Sequence, residues 1–200
     1  KAQAAKHNDT VLAPPFDWAG VKAPSVSSMD IAPSKIDEQY EGGSGDEHAM
    51  LRGNYIHQLL EHQSEPAPFV ASNNNALPEP IRIACQAEVE ALLNDDRLSF
   101  LFDPMQYSDA KKEVGLQYPA ASGQYVYGVI DRLVITEKQV YIVDYKTHQH
   151  VTSSNADSLA EHYRGQLQYY VDGIQQIYKD KKITAGILFT HNKQWIEVIN

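Results

Sequence analysis

The spacing of hydrophobic residues divides the chain into an irregular first part and a regular second part. Residues 1–47 show little periodic hydrophobicity and contain four prolines, a serine-rich PSVSS stretch and the sequence EGGSGDE. This composition is typical of linkers, because it offers no apolar face to bury. We therefore predict a linker or tether over residues 1–47 and a folded domain over residues 48–200.

Two helices are predicted at the start of this domain. The sequence HAMLRGNYIHQLLEH places apolar residues on one stripe at helical spacing: Met50, Ile56, Leu59 and Leu60. Pro80 begins a second helical pattern that runs through Leu93, since proline is favoured in the first turn of a helix. Arg52 and Gly53 mark the place in the first helix where a close approach to a sheet can be accommodated.

Strands dominate the second half of the domain. From Glu113 the hydrophobic period changes to two, which predicts strands near residues 113–118, 124–135 and 139–146. The sequence SLAE from Ser158 has the form of a capping box and predicts a long helix ending near Tyr178. Two further strands, TAGILFT and WIEVI, follow it. This order predicts an α/β domain with a mixed central β-sheet flanked by helices.

Size and charge restrict the possible classes of protein. A chain of 200 residues with 42% hydrophobic content is sufficient for one well-cored domain. The 17 basic and 26 acidic residues give a net charge of -9, which argues against a domain that captures nucleic acid by its own basic surface. The chain starts at Lys1 rather than at methionine, so we expect a piece of a longer protein.

Cysteine content and hydropathy indicate the compartment. Cys85 is the single cysteine, and its apolar helical surroundings predict a buried residue without a chemical role. One cysteine excludes an internal disulfide and an iron–sulfur cluster held by four cysteines. The sequence contains neither an apolar run of ~18 residues nor a signal peptide at its start. We expect a soluble cytoplasmic protein in a reducing environment, without membrane contacts.

Three charged residues interrupt the predicted strands 124–135 and 139–146, where valine or isoleucine is expected. If TEKQ forms the turn between two antiparallel strands, the numbers of paired residues sum to 275, so Asp131 faces Asp144. Lys146 lies two residues after Asp144 and therefore projects from the same face of the strand. A bulge or a different turn would shift this register and separate the three side chains.

Two opposed carboxylates and a lysine are suited to phosphodiester hydrolysis. Carboxylates whose Cβ atoms lie ~5 Å apart repel each other unless a cation or a shared proton lies between them. Mg²⁺ and Mn²⁺ bind such oxygen ligands, and a lysine can orient or deprotonate an attacking water. The alternative is a surface hairpin with an Asp–Lys ion pair. The apolar neighbours GVI and VYIV favour the metal site, because exposed hairpins are more polar.

The motifs also resemble a known family. GVIDRL and DYKT, whose aspartates lie thirteen residues apart, resemble the signature of RecB-like nuclease domains of the PD-(D/E)XK superfamily. RGNYIHQLLEH resembles the glycine-then-histidine helix of that family, and YRGQLQYYVDGI resembles its Q-x-x-x-Y motif. IAPSKI is similar to the segment that precedes the C-terminal nuclease domain in AddA-type helicase–nucleases, which the chain resembles most. The similarity spans about residues 30–200.

This resemblance implies a restriction-endonuclease-like core and a Mg²⁺- or Mn²⁺-dependent DNA exonuclease, without an iron–sulfur cluster. It implies a set of metal ligands consisting of His57, Asp131, Asp144 and the main-chain carbonyl of Tyr145. It also implies that Lys146, Asp131 and Asp144 are the catalytic residues. Support of the active site or of DNA binding is implied for Gln166, Tyr170 and, on less diagnostic spacing, Glu113.

The resemblance also implies partners. They are single-stranded DNA, an ATP-driven helicase domain in the same longer chain, and a second helicase–nuclease subunit, in a machine that processes DNA double-strand breaks for recombination repair. The 200 residues contain no phosphate-binding loop of the form G-x-x-x-x-G-K-[ST], so this part of the chain is not the motor. The alternative function is a catalytically silent nuclease-like module for DNA binding or scaffolding.

Several of these side chains also have ordinary structural explanations. His57 could be a hydrogen-bonded histidine at the edge of a helix. Tyr163, Gln166 and Tyr170 fall on one helix face and could be packing residues, although a glutamine on a packed face needs a polar partner. Four histidines in the second half of the domain show no spacing typical of metal ligands, and we expect them in solvated loops: His148, His150, His162 and His191.

Overall fold

The structure, a computed structural model, describes residues 31–33, 47–62 and 77–200. The predicted linker therefore lies outside the described residues except for Ile31–Pro33 and Glu47, and the domain boundary at residue 48 stays a prediction. Ile31 is attached to the folded part, because its N–H donates to the carbonyl of Tyr125 (2.8 Å) and its carbonyl accepts from the N–H of Tyr127 (2.9 Å).

Within the described residues, five strands form one mixed sheet and follow each other in space as they do in sequence. The third and fourth strands are parallel, and the other neighbours are antiparallel. This confirms the predicted α/β class with a mixed central sheet. The strands are β1 (Asp109–Pro119), β2 (Tyr125–Ile135), β3 (Gln139–Lys146), β4 (Lys182–Phe189) and β5 (Gln194–Ile199).

Helices cover both faces of the sheet. They are α1 (Glu47–Glu61), α2 (Glu79–Leu93), the short α3 (Ser99–Phe102), α4 (Ala156–Glu161) and α5 (Arg164–Ile177), with a 3₁₀ turn at Asp96–Leu98. One core packs the α5 residues Leu167 and Ile174 against the sheet, and the other packs α1 and α2 against its opposite face. No helix within the described ranges is both long and apolar enough to span a membrane.

Two details of the predicted helices are wrong. Met50 is 62% exposed, whereas Ile56 and Leu60 are fully buried. Six residues of α-helix turn through ~600°, so Met50 lies about 120° away from Ile56 and cannot share its stripe. The predicted long helix from Ser158 is also two helices, with Asn155 as the N-cap residue of α4.

Tyr163 lies between these two helices, after the C-cap residue His162 of α4 and as the N-cap residue of α5. It leaves helical geometry, with φ of -91° and ψ of 5°, and its side chain is only 3% exposed. Burial of this ring against the sheet outweighs the local capping signal at Ser158, as tertiary contacts commonly override local propensity.

The register of β2 and β3 agrees with the prediction. Arg132 pairs with Val143 and Ile135 with Val140, so the paired numbers sum to 275. Thr136 N–H donates to the carbonyl of Gln139 (2.8 Å), which closes the predicted turn. The pairing stops at Arg132, so the predicted pair of Asp131 with Asp144 is not formed, and Asp131 lies immediately beyond the paired segment.

The side chains of β1 and β2 switch from one face of the sheet to the other at Glu113 and Asp131. On one side of this point Leu116 and Ile130 pack into the α5 core. On the other side Leu133 enters that core, so the alternation along β2 has shifted by one residue. Glu113 has a left-handed φ of 49°, which is uncommon for glutamate and marks the irregularity. The fold thus has a kink in two paired strands where its carboxylates lie.

Candidate functional site

All eight residues predicted for the site line one open cleft with a volume of about 1830 Å³. They come from α1, β1, β2, β3 and α5: His57, Glu113, Asp131, Asp144, Tyr145, Lys146, Gln166 and Tyr170. The structure therefore brings together residues that are separated by up to 113 positions in the sequence. Their chemical roles remain predictions.

The closest group of possible metal ligands joins α1 to the kink in β1 and β2. His57, Glu113 and Asp131 each offer one ligand atom, and these atoms lie within 4.8 Å of one another. Nδ1 of His57 is 3.6 Å from Oδ1 of Asp131. Glu113 was the least specific of the sequence predictions. It belongs to this group because its left-handed backbone lies where the side chains of β1 switch to the other face of the sheet.

Asp131 is oriented by the backbone of β3. Its Oδ2 accepts a hydrogen bond from the N–H of Tyr145 (2.7 Å), just past the end of the β2–β3 pairing. One carboxylate oxygen thus takes the place of a backbone carbonyl of β2 as the acceptor for this N–H, and the other oxygen faces His57. The ring of Tyr145 contacts the ring of His57 edge to face, with 5.7 Å between the centroids.

Asp144 lies deeper than Asp131 and is only 4% exposed. Its Oδ1 accepts a hydrogen bond from Nε2 of Gln166 (2.8 Å), and the same amide group donates to the hydroxyl of Tyr170 (3.0 Å). Its Oδ2 lies 3.3 Å from Nζ of Lys146 but accepts no hydrogen bond from any residue that the structure describes. The polar partner required by Gln166 is therefore Asp144.

The electrostatics of the cleft favour added positive charge. Burial raises the pKa of Asp144 to about 6, against the opposing effect of Lys146 and with a further contribution from Asp131. Partial desolvation and then Asp131 raise the pKa of Glu113. Burial lowers the pKa of His57, but its interaction with Asp131 and the negative charge of Asp144 outweigh burial, so the net shift is upward. All three groups therefore retain protons more strongly than usual. A bound divalent cation would lower their pKa values and release these protons.

Lys146 has a contact that the sequence did not predict. Its Nζ lies 4.3 Å from the ring centroid of Tyr163, within the range of a cation–π interaction. The hydroxyl of Tyr163 is hydrogen-bonded to Nε2 of His148 (2.9 Å). His148 is half-buried and lines the cleft, so its predicted place in a solvated loop is wrong. His150, His162 and His191 are exposed, as predicted.

A buried network fixes the chain immediately after Lys146. Arg52 Nη1 donates to the carbonyl of Thr147 (2.8 Å), and Arg52 also forms an ion pair with Glu88, with both side chains 11% exposed. Glu88 Oε1 accepts from the hydroxyl of Thr190 (2.7 Å). A Cβ on Gly53 would lie 3.1 Å from Oγ1 of Thr147, so α1 approaches β3 closely at the expected place.

The sequence is similar to that of known proteins. The sequence profile of the PD-(D/E)XK nuclease superfamily matches residues 37–197. An ATP-dependent helicase/nuclease subunit of Ligilactobacillus salivarius (strain UCC118) is 37% identical over 65 residues, which cover 32% of this chain and 5% of that protein. The protein of the same name from Streptococcus mutans serotype c (strain ATCC 700610 / UA159) is 22% identical over 162 residues, which cover 74% of this chain and 13% of that protein.

A solved structure is also similar, though distantly. The crystal structure of SSO0001 aligns with 84% of this chain and 75% of its own, at 15% sequence identity and a TM-score of 0.34. The chain corresponds to only a small part of the two helicase/nuclease proteins, so the match concerns one domain of those proteins.

Proposed function

The chain belongs to the PD-(D/E)XK nuclease superfamily, and we propose that it is a Mg²⁺- or Mn²⁺-dependent deoxyribonuclease that removes nucleotides from DNA ends by phosphodiester hydrolysis. The observation that supports this most is the single cleft in which the imidazole of His57, three carboxylates and the ammonium of Lys146 meet. Carboxylate oxygens are the ligands that hard divalent cations such as Mg²⁺ prefer.

The donor atoms fit such a metal. Asp144 Oδ2 is buried and accepts no hydrogen bond from the described residues, so one ligand position is open. We propose His57, Asp131, Asp144 and the main-chain carbonyl of Tyr145 as ligands, with Glu113 as an additional one because it belongs to the closest group. A bound divalent cation supplies positive charge that polarises a phosphate and favours ionisation of water.

The other residues of the cleft act by position. Lys146 carries an ammonium next to Asp144, where it can orient an attacking water and offset the charge that develops on the scissile phosphate. Gln166 fixes one oxygen of Asp144, and the N–H of Tyr145 fixes one oxygen of Asp131. Both carboxylates are thus held in place before substrate arrives, which lowers the reorganisation needed during the reaction.

We further propose that this domain works inside a longer helicase–nuclease. Its relatives are named ATP-dependent helicase/nuclease subunits, and a net charge of -9 makes unaided capture of DNA inefficient. An attached motor would deliver single-stranded DNA to the cleft. The same proposal includes a second helicase–nuclease subunit, double-strand-break repair by recombination and a cytoplasmic location.

The deciding experiment is a titration of Mg²⁺ and Mn²⁺ against an end-labelled single-stranded DNA. Wild-type protein should release short products, and a circular single strand should remain intact because it offers no end. Asp144→Asn should abolish cleavage, whereas Asp109→Asn is the matched control, since Asp109 is an exposed carboxylate paired with Lys111 on the same sheet. If wild-type protein binds metal but does not cut even when fused to its motor, the silent DNA-binding or scaffolding module replaces this proposal.

A further inference from the structure

The part of the β1–β2 hairpin beyond the kink has one covered face and one open face. Leu116, Val126 and Ile130 pack into the α5 core, so the residues that alternate with them point away from that core. We define the open face of the hairpin as Gly115, Gln117, Pro119, Tyr125, Tyr127 and Val129, which the strand register pairs as 115 with 129, 117 with 127 and 119 with 125.

The open face carries two neighbouring tyrosine rings. Tyr125 is 46% exposed and Val129 is 48% exposed, which is unusual for large apolar side chains in a sheet without a partner. The rings of Tyr125 and Tyr127 lie with centroids 6.2 Å apart and planes inclined by 36°. Gln117 Nε2 donates to the hydroxyl of Tyr127 (3.3 Å) and so restrains its ring. A Cβ on Gly115 would meet nothing within 4 Å, which leaves free space beside Val129.

This face is continuous with the candidate active site. Gly115, Gln117, Tyr127 and Val129 line the same cleft as Asp131. Tyr127 precedes Asp131 by four residues on one strand, which corresponds to ~13 Å along β2. A polymer whose reactive bond lies at Asp131 would therefore extend over the two tyrosines.

The charges of the cleft indicate how such a polymer is held. Among its described lining residues, the lysine and arginine are both engaged: Lys146 with Asp144 and Arg52 with Glu88. Several carboxylates line the same cleft, including Glu61 and Glu113. A basic track for phosphates is therefore missing from this described part, and affinity must come from another source. Stacking on aromatic rings contributes to the binding of single strands without requiring positive charge.

We propose that the open face of the hairpin is a base-stacking platform that receives unpaired nucleotides of single-stranded DNA next to the site of cleavage. This inference rests on the proposed nuclease function and specifies how its substrate is bound. The platform selects single strands, because the bases of a duplex are stacked on each other and cannot lie on tyrosine rings. A protein surface could also cover an apolar face, but the continuity of this face with the catalytic cleft favours DNA.

Binding to fluorescein-labelled oligo(dT), measured by fluorescence anisotropy with Ca²⁺ in place of Mg²⁺, tests the platform. Tyr125→Leu and Tyr127→Leu should each weaken binding about tenfold. Tyr127→Phe should bind like wild type, because it keeps the ring and loses only the hydrogen bond from Gln117. Met105→Ala is the control, since Met105 is 90% exposed and lies outside the cleft.

The oligonucleotide provides a second, independent arm. An oligomer of abasic deoxyribose phosphates should bind wild-type protein about as weakly as oligo(dT) binds the leucine variants. The leucine variants should bind this abasic oligomer no more weakly than wild type does. If the abasic oligomer binds as tightly as oligo(dT), or if both leucine variants bind oligo(dT) like wild type, the platform does not exist. Leucine variants that bind DNA normally but lose association with the helicase partner would assign the face to protein docking and overturn the proposal.

The test of the platform can be distinguished from the test of the proposed nuclease activity. A protein that binds oligo(dT) through the tyrosines but never cleaves it retains the platform and refutes the proposed activity. A protein that cleaves DNA with unchanged KM in both leucine variants keeps the activity and refutes the platform. The expected result is a higher KM with little change in kcat, since stacking away from the scissile bond stabilises bound substrate and transition state alike.

Discussion

Lys146 occupies a position between two groups that attract it. Its ammonium lies 3.3 Å from Oδ2 of Asp144 and 4.3 Å from the ring centroid of Tyr163. The carboxylate and the negative face of the ring both attract it, so its side chain is held although lysine is otherwise flexible. A fixed ammonium beside a proposed metal ligand can act on water or phosphate without itself binding the cation.

Replacement of the lysine should therefore separate metal binding from cleavage. Lys146→Ala removes a positive charge that competes with the cation, so Mn²⁺ affinity measured by calorimetry should hold or rise. Cleavage should fall by ~10² or more, as is typical of a lost catalytic group. Asp131→Ala should lose both properties. Wild-type cleavage by Lys146→Ala together with an inactive Asp144→Ala would show that the lysine is structural.

Tyr163 should act only through the lysine. Tyr163→Leu removes the ring face and should lower cleavage about thirtyfold, which corresponds to the ~2 kcal/mol of a desolvated cation–π contact, while Tyr163→Phe should retain wild-type rates. In a Lys146→Ala background, Tyr163→Leu should cost nothing more, because the ammonium it positions is absent. An equal loss in both backgrounds, measured in single-turnover assays, would mean that Tyr163 merely supports the fold.

At the scale of elements, the kink in β1 and β2 determines the geometry of the site. Regular alternation would direct Leu133 and Asp131 to the same face, and Asp131 would then enter the α5 core that Leu133 occupies. The irregularity at Glu113 instead lets Asp131 turn to the N–H of Tyr145 and to His57. The break in regular strand pairing at this point is thus what allows the proposed ligands to lie close together.

Arg52 and Glu88 connect α1 and α2 to the end of β3, and their ion pair should be important for stability. Arg52→Met leaves the Glu88 carboxylate, which is 11% exposed, without its main partner. Loss of one member of a largely buried pair costs about 3 kcal/mol, so the melting temperature should fall by about 5–10 °C. Cleavage should fall as well, because the carbonyl of Thr147 next to Lys146 loses its donor.

A surface ion pair gives the matched control for this prediction. Arg97 forms a two-pronged pair with Asp95, but its side chain is 71% exposed. Arg97→Met should change neither the melting temperature nor cleavage appreciably, because exposed pairs contribute little. Similar melting temperatures for Arg52→Met and wild type, measured by calorimetry at the same pH, would contradict a stabilising role for the buried pair.

The elements that the sequence predicted best are those decided by local pattern. The β2–β3 register followed from strict alternation and a short turn, and Pro80 correctly indicated the start of α2. The break at Tyr163 could not be predicted, because it depends on burial of that ring against distant strands. The Arg52–Glu88 pair joins residues 36 positions apart in two helices, and only the relative placement of those helices brings them together.

The same distinction applies to the site. The strand carboxylates and Lys146 were predictable, since charge in an apolar strand pattern requires an explanation. Glu113 gave only a weak signal, because its membership in the ligand group depends on a left-handed φ that no sequence pattern indicates for glutamate. His148 gave none, since its partner Tyr163 became available only through the helix break.

At the scale of the whole molecule, the net charge of -9 matters most at the cleft, where several carboxylates lie and the described lysine and arginine are already paired. Such a protein repels DNA at long range unless ions or a partner compensate. The proposed metal and the proposed stacking platform address this in different ways, because the metal neutralises the carboxylates and the tyrosines bind the uncharged bases. The proposed attachment to a motor would add a high local concentration of substrate.

The same charge distribution predicts how stability depends on pH and metal. Without metal, the pKa of Asp144 is raised from 3.8 to about 6, so the folded state binds more protons than the unfolded state between these values. The free energy of unfolding should therefore fall as pH rises through that window. His57 has a raised pKa as well, and its stabilising contribution, complete below its usual pKa of 6.5, is lost as pH rises through its folded pKa. The pKa shifts of Asp144 and His57 therefore both make the free energy of unfolding fall as pH rises.

A divalent cation should remove this loss of stability by replacing the retained protons. Saturating Mn²⁺ should raise the melting temperature little at about pH 5 and by about 5 °C or more at about pH 8. Asp144→Asn should gain almost nothing from Mn²⁺ at about pH 8, because it lacks the buried charge that the cation compensates. Calorimetric scans of both proteins, with Asp109→Asn as the exposed carboxylate control, measure these differences. A metal-induced shift that is equal at the two pH values, or that persists in Asp144→Asn, would place the bound cation away from the buried carboxylate.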